Sequence, residues 1–193
     1  MNICKFTAAA IVCAMAAWPV SANEFEAPLR KVSGEIASGW LKDPAIVEAV
    51  KKQNQANANI SQDEIVALDK KWRAETGAGD QPMIKAVLAN GLSKFLKSKK
   101  EESGGLFTEI FVMDNKGLNV GQSDVTSDYW QGDEAKWKKT FSVGANALHL
   151  SDVEKDESTQ TFQSQISLPV VDPKDNSVVG AITLGVNVEL LAQ

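Results

Sequence analysis

The sequence predicts an α+β domain, helical in its first half and an antiparallel sheet in its second. Three observations carry that reading. Between residues 29 and 96 the apolar residues recur at three- and four-residue steps, the spacing of one helix face. From residue 106 onward the period falls to two, with polar turn residues between the runs. No long linker or internal repeat divides the 193 residues, and a chain that is 44% hydrophobic can bury one sizeable core.

The first segment reads as an export signal. Lys5 supplies a positive start, and 6–17 is an apolar run of about a dozen residues, too short to span a bilayer. Val20-Ser21-Ala22 provides the small residues of a cleavage site. The domains are therefore a signal peptide over 1–22 and a single domain over 23–193. A lipoprotein signal at Cys13 is the rival, although Ala10-Ile11-Val12 is a poor match to the small residues it needs. Both cysteines, Cys4 and Cys13, lie in the removed part. Thiolate nucleophiles, thiolate metal sites and disulfides are then excluded, and the location is periplasmic or secreted. The net charge of −5 becomes one unit more acidic once Lys5 is lost, which disfavours nucleic acid and anionic membranes as partners. No later apolar run has membrane-spanning length, so membrane insertion after cleavage is not expected.

In the helical half, Leu29, Val32, Ile36 and Trp40 share a face. Asp43-Pro44 restarts a helix, with Asp43 as cap and Pro44 in the first turn, and Ile46, Val47 and Val50 form its stripe. The polar run 54–59 ends it. Ser61-Gln62-Asp63-Glu64 is a capping box, flanked by Ile60 and Ile65 as a hydrophobic staple. Ile65, Leu68 and Trp72 are the buried stripe that follows. A last helix opens near Pro82 and runs through Ile84, Val87, Leu88, Leu92, Phe95 and Leu96 to a charged exit over 97–102 and a Ser103-Gly104-Gly105 turn.

In the second half, 106–113 and 118–122 form a hairpin about Asp114-Asn115-Lys116-Gly117. Three further strands are expected over 147–153, 159–171 and 178–188, with turns over 154–158 and 172–177. Ile182, Leu184, Val186 and Val188 face one way. Between the second and third strands lies a short helix, capped by Asp133 and running to Phe141, with Trp137 and Phe141 one turn apart. On the long strand, Gln163, Gln165 and Ser167 oppose Phe162, Ser164, Ile166 and Leu168, and the glutamine set is expected to face solvent.

The stretch from Ser127 to Trp137 is the candidate site. It holds the only tyrosine, Tyr129, and two of the five tryptophans, Trp130 and Trp137, interleaved with Asp128, Asp133 and Glu134. Aromatic faces beside carboxylates suit a small polar or cationic ligand. The competing reading packs the aromatics into a core and leaves the acids to solvent.

Over roughly Leu29 to Leu190, and best from Phe107 onward, the chain resembles the extracellular Cache, or PDC, sensor domains. The resemblance rests on Phe111-Val112-Met113-Asp114-Asn115-Lys116-Gly117 as a first hairpin and Ser127-Asp128-Tyr129-Trp130 as an aromatic pocket entrance. The third match is Val178-Val179-Gly180-Ala181-Ile182-Thr183-Leu184-Gly185-Val186 as a closing strand. It implies a PAS-like fold: a five-stranded antiparallel sheet, a long N-terminal helical layer and a helix inserted between strands. It also implies a ligand between the sheet and the inserted loop and helix, and places this chain as a free-standing periplasmic version of the family. In the family's amino-acid-binding branch an arginine near the pocket aromatics grips the ligand carboxylate. Here that stretch offers Gln131 and Lys136, and both arginines, Arg30 and Arg73, lie in the helical half.

Enzymatic signals are weak. His149, the one histidine, sits in an alternating strand, and no phosphate loop, zinc signature or nucleophile elbow is present. Asp124, Asp128, Asp133 and Glu134 form an oxygen-rich loop, but their spacing is not that of a calcium loop. No cofactor or metal is expected. The expected function is a small-molecule-binding sensor module, not an enzyme, with a membrane receptor as partner and Asp128, Tyr129, Trp130 and Trp137 as ligand-binding residues. The alternative is a structural or partner-binding envelope protein without a ligand pocket. The signal reading predicts a mature N-terminus at Asn23. Mass spectrometry of the exported protein checks it, and an intact Met1 or a lipid on Cys13 would refute it.

Overall fold

The computed structural model describes residues 24–155 and 161–191. The expected export signal lies outside the described residues, as does most of the expected turn over 154–158. The helical half comprises α1 (Glu26–Ser38), a 3₁₀ turn (Trp40–Lys42), α2 (Pro44–Ala56), α3 (Gln62–Thr76), α4 (Pro82–Ala89) and α5 (Gly91–Glu102). The strands are β1 (Phe107–Met113), β2 (Asn119–Gln122), β3 (His149–Leu150), β4 (Glu154–Lys155), β5 (Phe162–Val171) and β6 (Val178–Asn187). One-turn helices α6 (Ala135–Lys138) and α7 (Val188–Leu191) complete the described residues.

The caps form as the sequence predicts. Asp43 accepts the Ala45 N–H at 2.8 Å, and Ser61 and Glu64 close a reciprocal capping box. One predicted helix becomes two. Asn90 leaves the helical conformation, takes the Ser93 N–H on its side chain and donates to the Val120 carbonyl. An asparagine side chain that competes for backbone partners divides α4 from α5. The lysine-rich exit stays helical to Glu102, and Gly104 and Gly105 then turn the chain at positive φ.

The antiparallel sheet has the order β2-β1-β6-β5-β3, with β4 also paired to β5. The sequence predicts a full strand over 147–153, but only His149–Leu150 and Glu154–Lys155 pair with β5. The cause is Ser151. Its hydroxyl takes the Gln165 N–H at 2.8 Å in place of a backbone carbonyl, so the ladder is interrupted there. The last strand ends at Asn187, and Val188 opens α7 instead of extending the alternation.

The two sheet faces differ in kind. Ile110, Val112, Ile166, Leu168, Ile182, Leu184 and Val186 pack on Leu29, Ile36, Ile46, Val47, Val50, Leu92 and Leu96 of the helices, forming the main core. On the other face Phe111, Met113 and Ala181 make a smaller apolar patch with Trp137 and Phe141. Beside that patch the register sets Phe111, Thr183, Ser167 and His149 in one row across four strands. Ser167 and Thr183 are fully buried and share a hydrogen bond of 3.0 Å.

A third cluster joins Ile65, Trp72 and Ile84 to Leu118 and Tyr129. Trp72 is fully buried and donates its indole N–H to the Thr126 carbonyl at 2.8 Å. Trp72→Ala is therefore expected to cost about 3–5 kcal/mol in urea denaturation, and Ser61→Ala about 1 kcal/mol. A melting temperature unchanged by Trp72→Ala would refute this packing.

Candidate functional site

The aromatic loop is held by one face of α3. Asp69, Trp72 and Arg73 stand three and four residues apart and so point the same way. The buried Asp69 carboxylate accepts the Tyr129 N–H at 2.9 Å and the Trp130 N–H at 3.0 Å through one oxygen. Its other oxygen lies 2.7 Å from Arg73 Nε. Arg73 also reaches Asp128 at 2.8 Å. The fold thus carries an arginine from the helical half to the aromatic loop, a placement invisible in the local stretch. The segment 129–131 runs along β2, with Asn119 N–H donating to the Tyr129 carbonyl and Gln131 N–H to the Gly117 carbonyl. Gly117 has a φ of +82°, and a side chain there would strike the Gly132 backbone, so the hairpin turn and the loop lie backbone to backbone.

Asp128, Tyr129 and Trp130 are brought together; Trp137 is not among them. Tyr129 stacks on Trp72 with ring centroids 5.3 Å apart, and burial pushes its phenol up to about 12. Trp130 is half-buried and donates its indole N–H to the Lys116 carbonyl at 2.8 Å. Asp128 is ion-paired to Arg73, and its backbone carbonyl receives Asn119, Thr126 and Gln131. Trp137 instead lies over the sheet, stacked on Phe141 at 4.9 Å, with its indole N–H on the Asp114 carbonyl at 3.0 Å. α6 starts at Ala135 with Glu134 as the capping position. Asp133 does not cap it, contrary to the sequence reading, and its backbone carbonyl accepts the Lys138 ammonium.

Between α6 and the polar half of the sheet lies a cavity of about 270 Å³. Glu134 and Lys136 line it from α6, His149, Ser151 and Glu154 from the edge, and Gln163 and Gln165 from β5. The glutamines expected to face solvent thus form its floor. Gln165 reaches across β6 to Glu109 at 3.0 Å, passing Gly185, where a side chain would strike Thr108 and Gln163. Burial, with Lys139 and Lys136 nearby, lowers the His149 pKa from its ordinary value, so the imidazole is neutral at pH 7. The Lys136 ammonium is 2.8 Å from Glu134, 3.3 Å from the Gln131 side-chain oxygen and 5.4 Å from the Phe111 ring centroid.

The resemblance implies a ligand between the sheet and the inserted helix, but the residues that line this cavity were not among those the sequence singled out as ligand-binding. The available signal was the alternation of Gln163, Gln165 and Ser167 on a strand whose other face is core. Alternation alone does not say whether a polar face meets solvent or a covering segment. A larger groove of about 600 Å³ runs from Ser33, Ala37 and Leu41 to Leu148, Leu168 and Pro169. Its walls are mostly apolar. The smaller cavity has the denser set of hydrogen-bonding and charged groups, the kind that gives a ligand orientation and specificity.

The acidic loop is largely matched by cations: Asp124 pairs with Lys100, Asp128 with Arg73 and Glu134 with Lys136. Among the described residues no group of three or more His, Asp or Glu side chains is placed to hold a metal ion, and no helix is long and apolar enough to cross a membrane.

No protein-family model matches the sequence, and no curated protein does. Solved structures do resemble it. The ligand-binding domain of the Campylobacter jejuni chemoreceptor Tlp3, in complex with 4-methylisoleucine, is 12% identical with a TM-score of 0.41, over 89% of this chain and 63% of that one. The ligand-binding domain of the Pseudomonas aeruginosa PAO1 amino acid chemoreceptor PctC, in complex with GABA, is 15% identical with a TM-score of 0.42, over 83% and 62%. The sensor domain of the V. cholerae histidine kinase DctB is 11% identical with a TM-score of 0.39, over 87% and 59%. The chain spans about three-fifths of the length of each of these solved chains. These three neighbours are ligand-binding or sensor domains.

Proposed function

We propose that this chain is a small-molecule-binding sensor module that works outside the cytoplasm and serves a membrane receptor, with binding and not catalysis as its activity. The observation that supports this most is the polar cavity beneath α6. At about 270 Å³ it suits a metabolite-sized ligand, since drug-sized pockets run about 300–1,000 Å³. Gln163, Gln165, Ser151 and the neutral His149 supply directional hydrogen bonds. Glu154 adds negative charge at the wall, while Glu134 and Lys136 neutralise each other, which favours a polar or cationic ligand. The ligand would act by shifting the loop and α6 between open and closed populations.

A second reading makes Asp128, Tyr129, Trp130 and Trp137 the direct ligand contacts. The partial exposure of Trp130 and Trp137 favours it. In that case Asp128 would turn from Arg73 to the ligand.

A thermal-shift screen of the protein beginning at Asn23, against amino acids, amines and inorganic cations, finds the ligand. Gln165→Ala should then weaken binding about fivefold or more, through loss of one hydrogen bond worth about 1 kcal/mol, with little change in melting temperature. If Asp128→Asn and Trp130→Ala weaken binding and Gln165→Ala does not, the second reading stands. If nothing binds, a structural or partner-binding role replaces both.

The cavity histidine sets a pH dependence. The folded protein resists protonating His149, while the unfolded chain takes up the proton near the ordinary value of 6.5. Its contribution to stability is therefore full above that value and is lost as pH falls through the lower folded pKa. His149→Gln should flatten this part of a stability-versus-pH curve. Affinity for a cationic ligand should fall over the same acid range, because a protonated imidazole would add a like charge to the cavity wall.

A further inference from the structure

We propose that the ammonium of Lys136 is an internal occupant of a cation cage, and that an alkylammonium ligand binds by displacing it. This deepens the reading of the α6 cavity as the ligand site and rests on it. The cage has three parts. The buried Phe111 ring presents its face 5.4 Å from the ammonium, within cation–π range. The Glu134 carboxylate stands 2.8 Å away. The Gln131 side-chain oxygen stands 3.3 Å away, aimed by its own amide, whose nitrogen donates to the Asp128 carbonyl at 3.0 Å. Gln131 is only 2% exposed, so that acceptor is part of the packed structure.

A ring face, a carboxylate and a fixed carbonyl oxygen form a receptor for a primary ammonium. The Lys136 side chain fills it while 16% exposed. Glu134 and Lys136 also line the cavity, so the cage and the cavity adjoin. The pair does not brace a helix. Residues two apart do not face each other on a helix, and Glu134 is in extended conformation at the start of a single turn. A lysine stem is long and freely rotatable, and its head can return to water when a ligand's ammonium takes its place. Lys136 would then set the affinity threshold for amines and exclude neutral isosteres.

The test compares the wild-type chain with Lys136→Ala, using n-butylammonium chloride as a soluble copy of the lysine side chain. n-Butanol and sodium chloride at equal concentration are the controls. Binding read by thermal shift and calorimetry should be saturable and about tenfold or more tighter in Lys136→Ala than in wild type, since no internal ammonium competes. Adding Glu134→Gln to Lys136→Ala should abolish it. Equal responses in wild type and Lys136→Ala, an equal effect of n-butanol, or binding that survives Glu134→Gln would each overturn the proposal. If Lys136→Ala does not fold alone, recovery of its far-ultraviolet circular dichroism on adding n-butylammonium supports the cage, and failure to recover overturns it. The cavity reading is decided separately by the wild-type screen. A ligand found there, with an amine-blind Lys136→Ala, removes the internal occupant alone.

Discussion

The structure turns on one buried carboxylate. Asp114 is fully inaccessible at the end of β1, and its side chain receives four hydrogen bonds. Lys116 and Leu118 donate their backbone N–H groups at 2.8 and 2.9 Å, which shapes the β1–β2 turn. Gln53 of α2 and Asn57 at its C-terminal cap donate at 3.0 and 3.1 Å. A carboxylate out of water is costly unless its oxygens are filled by donors, and here the donors come from two separate elements. The backbone carbonyl of the same residue accepts the Trp137 indole. The helical layer, the first hairpin and the segment over the cavity therefore meet at one residue.

The rest of α2 extends that junction. Lys51 bonds Asp172 at 2.6 Å and holds its carboxyl below the ordinary carboxylate range. Asn54 donates to the Val179 carbonyl and accepts the Asn115 N–H. One polar side of a single helix thus grips the turns of both hairpins, while Ile46, Val47 and Val50 enter the core on its other side. Hydrogen bonds thus join Trp137 over the sheet, Asp114 at the hairpin and α2 in the helical layer without a break.

Much of this fold was legible in the sequence, for local reasons. The Asp43-Pro44 start, the Ser61–Glu64 box and the Asp114–Gly117 turn each need only a few neighbouring residues to specify them, and each formed as read. The errors share the opposite character. The run 54–59 ends α2 at Ala56 as read, but Asn54 and Asn57 are also members of the α2 clamp, a role hidden because their partners lie about sixty residues or more away. The strand over 147–153 was interrupted by a side-chain hydroxyl taking a backbone role at Ser151. Asn90 broke a continuous apolar stripe because a partner carbonyl on β2 was within reach.

The site was harder to read than the fold for a related reason. Tyr129 and Trp130 stand out by their rarity, yet the structure gives much of their polar capacity to protein partners: Asp69, Lys116 and the β2 backbone. Apart from His149, the one histidine, the cavity is built from ordinary residues, two glutamines, two glutamates, a serine and a lysine, whose composition carries no signal. What distinguishes them is position. The glutamines occupy the half of the second sheet face that Trp137 and Phe141 leave uncovered, and Lys136 stands above them on α6. An apolar residue at Gln163 or Gln165 could have extended the patch around Phe111 and Met113 and closed that half. Polar side chains there must instead find partners, and Gln165 finds Glu109 only because Gly185 between them has no side chain. A polar sheet face supported by a glycine crossing and roofed by a charged segment gives up packing energy for directional groups, and that exchange is expected where a domain recognises a small molecule.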